Sequence, residues 1–549
     1  MALQHIAKFW SVRRMPSCIF PSHPTAVALI VLLMMQSFFV PCVESAFRLP
    51  IRRFNSHIHV KQHTEKEAGG RGSFGSLVVL ERDVLSSAAL GDMKNNLNGL
   101  SGDGYYIDVD IGSPPQRMQI LIDTGSANFA VAAEQNAQIT HYFHRDNSST
   151  YREDGKDIYV PYTEGEWRGT LGTDIVSIPS APNVSAEVNI ACITSSKDFF
   201  IEKAQWQGIL GLAYADLAQP DSSLVPFWDS LIEQNPELED VFSMLLCGSS
   251  FVHTRDEPLM EGTLIFGGID PSLSASPILY TPIYKTWYYE VVITDMAVDD
   301  VSLDMDCKEY NFDKTIVDSG TTTIRLPYAV FKALVAAIER TWEVKKINPW
   351  DLPGESFFSG EDILCFSDME EPFELFPVVS FYLLQSENSS FRLDITAQHY
   401  LRPVQSVDGK GLVPDEMCVK FGFSPSTTGA VLGAVLMEAF YVVFDRNNSR
   451  VGFGQTTCPL PDPDHPIRNH SIVGPLYTKK DLRSCAYKKP DSHQSFLVVS
   501  YVMAGLAVVV VLPLLLLLIL WVKNLLSRKR HHCADDDGSE TRTVLSDSQ

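Results

Sequence analysis

Basic charge is scarce in this chain: 44 lysines and arginines face 67 aspartates and glutamates among 549 residues, a formal charge of −23. That balance argues against a nucleic-acid partner. Glycine (33) and proline (32) are too few for a collagen-like or wholly disordered chain, and a 45% hydrophobic share is enough for a large folded core. Charge is missing altogether from two apolar runs. The first, residues 26–40, follows Lys8, Arg13 and Arg14, is shorter than the roughly 20 residues a bilayer span needs, and ends near small side chains around Ser45. It reads as the core of a secretory signal peptide over 1–45. The second, residues 496–522, is long enough to cross a membrane despite Pro513. Lys523, Arg528, Lys529 and Arg530 follow it directly, which places the tail, 523–549, in the cytosol and the bulk of the chain in the lumen or outside the cell.

Cysteine usage agrees with that compartment. Of ten cysteines, Cys18 and Cys42 leave with the signal peptide and Cys533 is cytosolic. Cys192, Cys247, Cys307, Cys365, Cys418, Cys458 and Cys485 remain, an odd number, and six of them allow three bridges in any of fifteen connectivities. Cys192 lies in an alternating run, VNIACIT, and is expected to be a buried free thiol. Sequons at Asn147, Asn183, Asn388, Asn447 and Asn469 favour a glycosylated surface. Cys533 is a candidate for palmitoylation, and with His531 and His532 it resembles a metal cluster only superficially.

From Gly104 onward, short β-rich runs such as YYIDVDIG, MQILIDTG, IYVPY, DIVSIP and YYEVVIT are broken by Gly, Pro, Asn and Asp, which predicts a mainly β architecture. Two amphipathic helices are expected, one through Leu224, Phe227, Trp228, Leu231 and Ile232, the other through Val330, Phe331, Leu334, Val335 and Ile338. Residues 46–98, with a basic start and a Gly/Ser-rich patch, read as a propeptide or a flexible arm. A weak internal duplication then organises the rest. ILIDTGSANF (residues 120–129) is echoed by TIVDSGTTTI (315–324), and each copy is followed later by two apolar residues and a glycine, at Gly211 and Gly433. Two similar lobes are implied, 99–241 and 242–470, followed by a stalk over 471–495.

Each copy places an aspartate, Asp123 or Asp318, at the end of an apolar strand, ahead of a small hydroxyl residue and a turn glycine. If the copies meet across a two-fold-like axis, the two carboxylates cannot both ionise and will hold one proton between them. The ionised member can then take a proton from a water while the other donates to a peptide carbonyl, so neither a metal nor a cofactor is needed. That shared-proton pair is the standard worked case of coupled carboxylates. Ser126 and Thr321, each three residues after its aspartate, are placed to donate to the outer carboxylate oxygens. A lone Asp-Thr-Gly is more often an ordinary turn; two copies with matching followers favour catalysis. Between them, residues 158–178 read as a hairpin able to cover a cleft, with Tyr162 and Trp167 flanking its turn.

On these residues, and on FRLPIRR, GYYIDVDIGSPPQ, YVPYT, GTDIVSIP, GILGLAYA, WYYEVVI, MDCKEYN, IVDSGTT and FYVVFDR, the chain resembles the pepsin-like aspartic peptidases, and more closely the membrane-anchored β-secretases, from about Phe47 to the membrane span. The resemblance implies a bilobal pepsin-like fold with a few short helices plus one transmembrane helix. It further implies Asp123 and Asp318 as catalytic pair, Tyr162 as flap tyrosine supported by Trp167, Arg325 lining the substrate subsites with a preference for acidic or polar side chains, and bridges Cys247–Cys458, Cys307–Cys485 and Cys365–Cys418. Ala127 and Thr323 depart from the family's common residues, which bears on subsite preference. The expected protein is a single-pass type I membrane endopeptidase of the Golgi, endosome or plasma membrane. It would cut protein substrates, chiefly other type I membrane proteins near their membrane span. The rival readings are a silent receptor ectodomain that kept the fold and a soluble peptidase released by cutting the stalk.

Overall fold

The computed structural model describes residues 46–55, 103–139, 141–162, 165–200, 206–247, 262–347, 352–366, 371–403, 417–458, 471–488 and 492–535. The expectations for the signal peptide, for residues 56–98 and for Asn469 concern residues outside that set. Two compact units are present, Met1–Ala486 and Tyr487–Gln549.

In the first unit, the duplication seen in the sequence is a duplication of strand order. The strand Gln116–Asp123 runs parallel to Gly208–Gly211, with Asp123 opposite Gly211. Phe129–Ala132 is antiparallel to Gly208–Gly211 and parallel to Ala181–Lys197. The second half repeats the pattern: Thr315–Val317 is parallel to Ala430–Leu432, which is crossed antiparallel by Ile324–Pro327, itself parallel to Phe423–Ser426. Central strands of this kind are covered on both faces, so they read as continuous apolar runs; all four residues of Gly208–Gly211 are buried. Each aspartate therefore lies where an apolar strand ends in a turn.

A six-stranded sheet interleaves the halves, in the order Phe47–Pro50, Gly262–Phe266, Val241–Leu246, Phe440–Asp445, Arg450–Gln455, Leu279–Pro282. Its core carries Phe242 stacked on Phe444, with ring centroids 4.8 Å apart. The expected helices are Phe227–Gln234 and Tyr328–Lys345. Leu224 falls outside the first because Pro226, in extended conformation, caps it. The second buries Val330, Phe331, Leu334, Ala337, Ile338 and Trp342 and stops at Lys346, whose φ of 57° is left-handed.

Two boundaries differ from the sequence reading. Residues 471–495 were expected to be a stalk, yet Ile472–Tyr477 is an edge strand paired with Ser389–Ile395, and Cys485 is bonded to Cys307. The fold thus reaches Ala486. A Gly-Pro pair inside IVGPLY masked the strand, and an edge is where a sheet tolerates proline. Residues 47–55 are likewise two strands and not an arm: Phe47–Pro50 pairs with Gly262–Phe266 and Arg52–Asn55 with Asp103–Ile111, with Leu49 and Ile51 buried between. YYEVVIT becomes regular strand only from Ile293.

The bonded cysteines are Cys247–Cys458, Cys307–Cys485 and Cys365–Cys418, and Cys192 is a buried free thiol. Asn147, Asn183, Asn388 and Asn447 are exposed. In the second unit, Ser492–Asp535 is one helix containing Pro513, and its Met503–Leu526 portion is long and apolar enough to cross a membrane.

Candidate active site

The Asp123 and Asp318 turns meet back to back through a reciprocal set of hydrogen bonds. The Thr124 hydroxyl donates to the Val317 carbonyl at 3.0 Å and the Ser319 hydroxyl to the Ile122 carbonyl at 2.9 Å. Each turn's amide also donates to the other's hydroxyl: Thr124 N–H to Ser319 Oγ at 3.1 Å, and Ser319 N–H to Thr124 Oγ1 at 2.9 Å. The amides and hydroxyls of Thr124 and Ser319 are thereby paired, as a low-dielectric interior requires.

Above it the carboxylates face one another. The Gly125 N–H donates to Asp123 Oδ1 at 2.8 Å and Ser126 Oγ to Asp123 Oδ2; the matching bonds on the other side are Gly320 N–H to Asp318 Oδ1 at 2.9 Å and Thr321 Oγ1 to Asp318 Oδ2 at 2.7 Å. These bonds fix the plane of each carboxylate. Asp123 is 5% exposed and Asp318 7%, so two acids share one desolvated spot. Burial first, and then the charge of Asp318, hold the Asp123 carboxyl well above the usual carboxylate range, against the opposing bonds from Ser126 and Gly125.

The glycines of the two turns are explained by the same geometry. A Cβ built on Gly125 would lie 2.5 Å from the Asp318 carboxylate, and one on Gly320 would run into Asp123. Gly320→Ala is therefore expected to lower kcat at least about a hundredfold by pushing Asp123 out of register. Steady-state kinetics beside a melting curve will separate this from unfolding.

The hairpin expected over 158–178 consists of Arg152–Pro161 and Glu166–Ile178, and its turn is closed by Tyr162 N–H donating to the Gly165 carbonyl at 2.9 Å. The Trp167 indole N–H reaches the Tyr162 hydroxyl at 3.4 Å, while the Tyr162 ring stacks on Phe199 with centroids 5.5 Å apart. Burial, followed by the nearby Asp123, pushes the Tyr162 phenol well above its ordinary range, so it stays protonated. Between this hairpin and the second half lies a cleft of about 680 Å³ lined by Asp123, Asp318, Ser126, Thr321, Tyr162 and Arg325. Trp167 supports the wall from behind, wholly buried.

Sequence reasoning missed Phe199, Trp206, Tyr288 and Lys314, which also line the cleft. Their only signal was residue type, since they come from four separated segments. Burial, with Asp318 and Asp123 nearby, pushes the Tyr288 phenol up to about 12. Lys314 Nζ is fixed by Asp313 at 2.8 Å and the Thr428 carbonyl at 2.7 Å. Ala127 and Thr323 are not among the lining residues: Ala127 is fully buried against Gly211, and the Thr323 hydroxyl pairs with that of Ser424 at 2.9 Å. Among the described residues no group of His, Cys, Asp and Glu is arranged to hold a metal ion.

The family model of eukaryotic aspartyl proteases matches residues 104–456, which contain both acid turns and the hairpin. The chain belongs to that family. Within it, this protease is 45% identical over 442 residues to a beta-secretase of Strongylocentrotus purpuratus, covering 76% of this chain and 79% of that protein. Cathepsin E of Cavia porcellus is 29% identical over 369 residues (63% and 80% covered), and Renin-2 of Mus musculus 25% over 445 (78% and 97%). The protease is a pepsin-like aspartic endopeptidase of the β-secretase branch, mostly strands with few helices, and carries one C-terminal helix fit to cross a membrane.

Proposed function

We propose that Asp123 and Asp318 hydrolyse peptide bonds through a water held between them, and that the substrates are juxtamembrane segments of other membrane proteins. The observation that carries the reading is the pair of buried carboxylates facing each other in a cleft of about 680 Å³. The pair keeps one proton. Its ionised member accepts a proton from the water as the water oxygen attacks the peptide carbonyl carbon, and its protonated member donates to the carbonyl oxygen. The tetrahedral diol then collapses: the C–N bond breaks as the protonated member gives its proton to the amine nitrogen and the ionised member takes one from a diol hydroxyl, so the pair again holds one proton and a fresh water restores the starting state. Ser126 and Thr321 hold the acids coplanar for both transfers. Tyr162, supported by Trp167, closes over the bound chain and excludes bulk water. Arg325, on the cleft wall, favours an acidic or polar substrate side chain.

The substrate class follows from the tether. A helix such as Met503–Leu526 confines the protease to a membrane and raises the effective concentration of targets in the same bilayer. Basic residues after the span and the exposed sequons before it support a luminal or extracellular catalytic unit, in the Golgi, endosome or plasma membrane. Cells carrying the full-length chain are expected to release ectodomain fragments of type I membrane proteins. A hydroxyethylene transition-state inhibitor should block that release; release that is identical with and without inhibitor defeats the proposal.

A further inference from the structure

Behind the acid pair lies a buried tyrosine that the hydrolysis above does not use. Tyr289 is fully buried, and its two ends reach the two halves of the site. Its main-chain carbonyl accepts the Val317 N–H at 3.1 Å, immediately before Asp318. Its phenol donates to the Leu212 carbonyl at 2.5 Å. Leu212 lies in the segment that backs the first acid: its N–H donates to the Asp123 carbonyl at 2.8 Å, and the following Ala213 N–H donates to the Ser126 carbonyl at 2.9 Å. One residue thus links the two acids, its main chain to the strand that leads into Asp318 and its phenol to the segment that holds both Asp123 and its hydroxyl donor. The neighbouring Glu290 forms a β-bridge with Ile316, which ties the same segment to the second half.

The phenol is well held. Its ring packs edge-on against Phe444 at 4.6 Å and Phe242 at 5.8 Å. The titratable and charged groups facing it are Arg446, Tyr214, Asp229 and Asp240. Arg446 is paired with Asp229 at 2.8 Å and lies over the Tyr214 ring at 4.4 Å. Burial keeps the Tyr289 phenol protonated throughout the acid range, so it remains a donor wherever the acids work.

We propose that Tyr289 is a positioning residue: through the Leu212 carbonyl it sets the separation of the Asp123 and Asp318 carboxylates, and with it how strongly they share their proton. The inference rests on the reading of these aspartates as the catalytic pair. Tyr289→Phe keeps the ring and leaves the Leu212 carbonyl without its donor. The first acid turn then relaxes away from the second, and a wider pair couples less. The expected result is kcat lowered about tenfold with KM within about twofold. The neutral-side limb of the pH–kcat profile also moves toward acid, because a weakly coupled pair gives up its last proton at lower pH.

Tyr214 supplies the control. Its hydroxyl is buried and has no hydrogen-bond partner among the described residues, and its ring lies 5.3 Å from that of Tyr289. Tyr214→Phe makes the same chemical change next door and is expected to leave kcat, KM and both limbs unchanged. Incorporating 3-fluorotyrosine at position 289 retains the donor and is expected to keep wild-type limbs. A Y289F enzyme with wild-type kcat and limbs overturns the inference; so does one that loses kcat with both limbs in place, as would a fluorotyrosine enzyme whose limbs move as in Y289F. Asp123→Asn, assayed alongside, separates the two levels: if it stays active the pair reading itself fails, whereas an inactive D123N beside an unperturbed Y289F removes only the role of Tyr289.

Discussion

Asp123→Asn is expected to reduce turnover about a thousandfold or more while making the protein more stable at neutral pH. Activity falls because an amide at this position neither takes the water's proton nor shares one with Asp318, so both acid–base transfers are lost together. Stability rises for a reason set by the direction of the shift. In the folded protein, burial and Asp318 hold the Asp123 carboxyl well above the usual range, whereas in the unfolded chain it titrates normally. At low pH both states carry the proton and the position costs nothing. As pH rises past the ordinary carboxylate range, the unfolded chain gives up a proton that the folded one keeps, and stability falls by at most about 1.4 kcal/mol per pH unit until the folded pair titrates. Asparagine has no proton to lose. Melting temperatures across mildly acidic to neutral pH should therefore decline more steeply for the wild type than for the variant, and parallel curves would count against a shared proton.

The second large effect concerns where the folded unit ends. A chain stopped at Lys488 is expected to be secreted as an active enzyme, whereas one stopped at His470 is expected to fail to fold. The shorter chain loses the edge strand Ile472–Tyr477, which covers Ser389–Ile395, and leaves Cys307 without Cys485. Loss of a native disulfide alone costs about 2–5 kcal/mol, a large part of the roughly 5–15 kcal/mol that holds a domain together. Secreted yield and the presence of a cooperative melting transition are the measurements. Full activity from the chain ending at His470 would show that the strand and the bridge contribute little.

What the sequence made readable and what it did not follow from the same physics. The acid turns could be recognised because their chemistry needs an aspartate, a hydroxyl and a glycine within four consecutive residues, and because the parallel neighbour of each is a short apolar run ending in glycine. The hairpin carrying Tyr162 was legible as two alternating runs around Gly165, and the apolar helix by its missing charge. Phe199, Trp206, Tyr288 and Lys314 were not, since they meet only after folding and each in isolation looks like an ordinary core aromatic or surface lysine. Tyr289 is harder still: its partner is a main-chain carbonyl, which no residue type announces. The strand at Ile472–Tyr477 was hidden by its own Gly-Pro pair.

The crossing of Gly125 and Gly320 with the opposite aspartates reaches beyond the turns themselves. Each half of the molecule contributes an acid and also the empty space in which the other half's acid must sit. Neither half owns a working centre, and a change of shape in one has to be tolerated by its counterpart. Drift after duplication is consequently free to remodel outer loops, while the two facing tetrapeptides are bound to change together or not at all.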